Sequence, residues 1–124
     1  MSHPVVHWEI SGHDTVRLER FYSDLFGWKV GPETSAGIDL DPGEAPAGTI
    51  VHTAAAPPHV VFYVRVASIV AALDRVAELG GTCVQEPTYH RGVGTFAQIL
   101  DPEGNLVGLL RPEEPTLEPT ATNG

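Results

Sequence analysis

A repeat constrains this chain more than any other feature. His7 precedes Gly27 by 20 residues, and His59 precedes Gly80 by 21. A shift of 52 or 53 residues therefore superimposes two halves of the chain, so one supersecondary unit is used twice. In the first half, Val6, Trp8 and Ile10 alternate with His7, Glu9 and Ser11 over residues 5–11. That is the period of a strand with one apolar and one polar face. Asp14 is placed to cap a helix over residues 15–26, in which Leu18, Phe21, Tyr22 and Leu25 share a face. Gly27 ends the helix. Short strands are expected at residues 28–30, 38–41 and 48–53, with a turn at Gly31-Pro32 and a loop over 42–48. After the connector 54–58, with its two adjacent prolines, the order restarts. A strand covers 59–66, Ser68 caps a helix to about Leu79, and Gly80-Gly81 ends it. Strands follow at 82–85, 95–100 and 105–110. Residues 87–94 read as a loop, and Asp101-Pro102-Glu103-Gly104 as a tight turn. The expected fold class is α+β: two βαβββ modules, about 3–56 and 57–111, whose sheets form a cup around a cleft.

Composition narrows the function classes. Sixteen acidic residues against seven basic give a formal charge of −9, with no basic cluster, which argues against nucleic acid as a partner. No run nears the ~18 apolar residues of a membrane span. The opening MSHPVVHWEI lacks a basic segment followed by a long apolar run, so no secretory signal is expected. Cys83 is the lone cysteine; it rules out an internal disulfide and fits a cytoplasmic protein. It sits on a strand with no feature that would activate it, and a buried structural role is expected. The chain is long enough for one domain, residues 1–111, to fold on its own core. Residues 112–124 read as a disordered acidic, proline-rich tail.

FYSDLFGWKV after the first strand and DPEGNLVGLL near the end resemble the vicinal oxygen chelate superfamily, which includes glyoxalases, bleomycin-resistance proteins and extradiol dioxygenases. The resemblance spans residues 3–111. It implies the paired βαβββ fold, often a homodimer, and a small-molecule ligand in the cup, but no single reaction. It also implies metal-ligand positions on the first and last strands of each module. His7, His52 and His59 fall there. They could hold one divalent ion, Zn, Ni, Mn or Fe, with water completing its shell. The fourth position, commonly glutamate, is Gly108, which has no side chain to bind with.

Two main functional readings follow, with a third beside them. One is a metal-free protein that binds a small organic molecule. The other is a metal-dependent lyase or dioxygenase in which His7 and His59 hold an ion that chelates vicinal oxygens, and Glu9 moves a proton. A third, metal-free catalysis with Glu9 or a histidine as base, uses the same residues. Tyr63 shares a strand face with His59 and Val61 and can line the cleft. Gln98 is an amide in the middle of an apolar strand. Tyr89 and His90 lie in the loop before that strand, where binding residues concentrate. These four are the candidate substrate contacts. Trp8 and Trp28 read as packing residues. GxSxG, P-loop, CxxC, HExxH and GxGxxG motifs are absent.

Overall fold

The computed structural model describes residues 2–113. The first module contains β1 (Val5–Gly12), α1 (Thr15–Phe26), β2 (Lys29–Thr34), β3 (Gly37–Asp41) and β4 (Gly48–His52). The second contains β5 (Val60–Arg65), α2 (Ile69–Glu78), β6 (Thr82–His90), β7 (Gly94–Leu100) and β8 (Leu106–Pro112). The helix signals operate as expected. The Asp14 carboxylate accepts from the Arg17 amide at 3.0 Å, and the Ser68 hydroxyl accepts from the Ala71 amide at 3.1 Å. Gly27 closes α1 at φ 72°, a conformation that costs glycine little.

The eight strands form one open sheet in the order β2-β3-β4-β1-β5-β8-β7-β6. Each module contributes a half. Its first and last strands run parallel (β1 with β4, β5 with β8), and the halves join through antiparallel β1 and β5 within the chain. The helices cover one face. Gly12 of β1 lies directly beneath Leu18 of α1. In register, Trp8 opposes Phe62 on β5, and Val64, two residues on, opposes Leu109. Leu109 packs with Ile69 and Ala97 under α2. Strand alternation then sends His7, Glu9, Val61 and Tyr63 to the opposite, concave face. Leu40, Ile50 and Val61 are the largest fully buried side chains among the described residues. α1 buries none of its residues fully: Phe21, Leu25 and Phe26 stay exposed, although Tyr22 stacks on Trp28, Phe26 meets it at a tilt, and Trp28 meets Trp8.

Several boundaries differ from the sequence reading. Gly31 and Pro32 are not a turn; they lie inside β2. The expected loop at 87–94 is mostly strand, because β6 continues to His90. Both are edge strands, where a residue without an amide proton leaves no ladder bond broken. The pairing register slips beside each proline, between Val30 and Glu33 in β2 and between Gln85 and Thr88 in β6. β8 reaches Pro112, and the Glu113 amide bonds the Val93 carbonyl at 3.0 Å. The remainder of the expected tail, 114–124, lies outside the described residues. Cys83 is half-buried rather than buried. Among the described residues no helix is long and apolar enough to cross a membrane.

Candidate functional site

A transverse row of side chains crosses the middle of the concave face. In register, His7 of β1 opposes Tyr63 of β5, Tyr63 opposes Gly108 of β8, and Gly108 opposes Gln98 of β7. The glycine shapes this row. A Cβ at position 108 would stand 2.2 Å from the Tyr63 ring, closer than any contact that packed atoms allow. The ring therefore lies across the bare backbone of Gly108. Its hydroxyl accepts from Gln98 Nε2 at 2.8 Å and faces both oxygens of Glu9 at 3.4 Å.

Beside this row is a cleft with about 360 Å³ of empty space, open to solvent. His7, Glu9 and Ala36 line it from the first module. Tyr63, His90, Val93, Phe96 and Leu110 line it from the second. The space is narrow. A narrow, mostly apolar cleft favours a slender or flat group. Phe96 packs edge-on to Tyr63 and stacks on His90, which makes one wall aromatic.

Burial sets the electrostatics. It raises the Glu9 carboxyl above the ordinary carboxylate range, against opposing effects of the Tyr63 hydrogen bond and the nearby His59. It lowers His7, with Asp39 pulling the other way, so the imidazole favours its neutral form. Tyr63 is pushed up, first by burial and then by the charge of Glu9, and its hydroxyl keeps its proton. The site is thus a hydrogen-bonded group of Glu9, Tyr63 and Gln98, with His7 alongside.

Not all the sequence candidates meet here. His7, Glu9, Tyr63 and His90 line the cleft, and Gln98 reaches it through Tyr63. Tyr89, next to His90 on β6, is exposed, and its hydroxyl donates to Glu113 at the end of β8. His52 opposes Gly12 in register, so alternation places it with Trp8 and Ile10 on the helix-covered side. His59 clamps the end of β1. Its Nδ1 lies 3.0 Å from both the Pro57 carbonyl and Ser11 Oγ, and the Ser11 hydroxyl donates to the His59 carbonyl. A carbonyl only accepts, so Nδ1 carries the proton. Sequence reasoning missed Thr49, whose Oγ1 lies 3.2 Å from His7 Nε2. It also missed Val93, Phe96 and Leu110. Thr49 was within reach of parity: in register it opposes Glu9, whereas His52 is three residues further along β4.

These positions do not fit the metal set that the family resemblance implies. The Tyr63 ring covers the fourth position, and His52 lies on the other face. Among the described residues no three His, Cys, Asp or Glu side chains group as ligands.

The family model for the glyoxalase-like domain matches residues 9–110. The chain belongs to that family. No curated protein matches it significantly. Solved structures share the glyoxalase-like fold. Methylmalonyl-CoA epimerase from Mycobacterium tuberculosis is 19% identical, with a TM-score of 0.67, covering 89% of this chain and 88% of the epimerase. A hypothetical protein from Bacillus halodurans C-125 is also 19% identical, with a TM-score of 0.72, covering 95% of this chain and all of its own. Homoprotocatechuate 2,3-dioxygenase from Arthrobacter globiformis is 26% identical over 91% of this chain, with a TM-score of 0.64; the match takes in 37% of the dioxygenase. One glyoxalase-like fold thus serves proteins named for different reactions.

Proposed function

We propose that this glyoxalase-like protein binds a small, flat organic molecule in the cleft between its modules, without the complete metal centre of its wider superfamily. The observation that carries this reading is the Tyr63 ring over Gly108. It replaces a metal-ligand position with an aromatic wall and a hydroxyl, and it leaves a largely apolar cleft with few polar groups. Small-molecule sites have that character: apolar walls and a few placed polar groups. The buried carboxyl of Glu9 supports a second reading, in which the same cleft carries out a metal-free proton transfer with Glu9 as base. We take the protein to act as a cytoplasmic homodimer, a state that sedimentation equilibrium tests directly.

The test of binding uses benzyl alcohol as a neutral probe and follows side-chain NMR signals of Tyr63, Phe96 and Leu110. The expected outcome is a saturable shift of these signals, unchanged by EDTA, and lost in Val93→Trp, which fills the cleft. A shift that persists in Val93→Trp, or no shift at all, overturns the reading. Loss of binding in EDTA with recovery on added zinc would favour instead an ion held by His7 and His59.

A further inference from the structure

Among the described residues Glu9 is the only acidic one lining the cleft, and most of its carboxylate goes unanswered there. An ionised carboxylate offers about four acceptor sites. The single hydroxyl proton of Tyr63 is its only hydrogen-bond donor among the described residues, and at 3.4 Å the contact is long for O–H···O. No lysine or arginine lines the cleft, and none pairs with Glu9 among the described residues. His59 favours the ionised carboxylate of Glu9, and Asp39, which acts on His7, adds to the negative field. Glu9 shares the lining with the imidazoles of His7 and His90 and with Tyr63, Phe96, Val93 and Leu110.

We propose that the ligand is a flat aromatic or apolar molecule bearing a protonated nitrogen, the nitrogen set against Glu9 and the ring against Phe96 and Leu110. The inference rests on the ligand-binding reading above and names its ligand class. A buried charge is tolerable only when paired, and a ligand cation and Glu9 pair each other. A charge-assisted hydrogen bond is about twice as strong as a neutral one. The faces of Tyr63 and Phe96 add attraction for a cation placed over them. An anionic ligand meets the reverse: a carboxylate in the cleft, no lysine or arginine in its lining, and a chain of formal charge −9. The phosphates of an acyl-CoA, such as the one bound by a fold neighbour, find no lysine or arginine in this lining.

Three probes of matched size separate the possibilities: benzylamine, benzyl alcohol and benzoate, titrated at pH 7.5 by the same NMR signals. Benzylamine is expected to bind at least about tenfold more tightly than benzyl alcohol, and benzoate more weakly than either. In Glu9→Gln the preference for the amine over the alcohol should be lost. The wild-type comparison stands even if that variant does not fold. Equal binding of amine and alcohol, or a preference for benzoate, overturns the cationic class and leaves the cleft a binding site. Failure of all three probes to shift the cleft signals overturns both the class and the binding reading.

Discussion

Tyr63 and Gly108 make a single unit, because one supplies a ring and the other the space it occupies. The sequence showed that Gly108 could not bind a metal. It did not show why a glycine stands there, since the reason is a ring on another strand. Gly108→Ala should destabilise the fold by about 1–3 kcal/mol, the usual cost of overpacking. In a Tyr63→Ala background most of that cost should vanish, because no ring remains to collide. Urea denaturation of the four proteins of this double-mutant cycle checks it, and additive losses would contradict it. Glu9 and His7 make opposite contributions to the pH dependence of stability. Burial raises Glu9 in the folded state above its ordinary 4.5, so its contribution is fully present below that pH and is lost as pH rises through the folded value. Glu9→Gln should therefore be more stable than wild type at pH 7, with the gap closing as pH falls toward 4.5. His7 is lowered in the folded state, so its contribution is present above 6.5 and is lost as pH falls through the folded value. His7→Gln should remove that acid-side loss. Thermal melts across pH 4 to 8 read both effects, and a wild type that parallels both variants would refute them.

The elements were legible wherever a local signal fixes them. Asp14, Gly27 and Ser68 announced the helices, and α1 runs over the residues expected, 15–26. Asp14→Ala and Ser68→Ala should each cost about 1 kcal/mol, since each leaves a first-turn amide without its side-chain acceptor. The two losses should add in the double variant, because the caps lie in different modules and share no partner. Chemical denaturation measures this, and a cost near zero would mean that water replaces the cap. The edge strands were harder to read. A proline is evidence against a strand only when its missing amide would have been used, and that depends on which strand lies at the edge. Pro32 and Pro87 both lie on edges, so β2 and β6 continue through them. Strand order is a tertiary property, and a local pattern does not contain it.

At the scale of the whole molecule, β1 and β5 join two similar units into one sheet, and the cleft takes its lining from both. Trp8 and Trp28 report the first module alone, whereas far-ultraviolet circular dichroism reports both. Urea transitions followed by the two signals should coincide, because the β1–β5 ladder couples the units. Separate midpoints would show that the modules unfold independently. The repeat, the helices, the fold class and the polar face of β1 follow from sequence by itself, because each is written in the spacing of neighbouring residues. Tertiary structure decided which candidates meet. It brought His7, Glu9, Tyr63 and Gln98 together, turned His52 to the helix side, tied His59 to Ser11, and laid a tyrosine over Gly108. Those outcomes depend on inter-strand register, where a shift of one residue exchanges the two faces of a strand, and no local pattern in a single strand records the register of its partner.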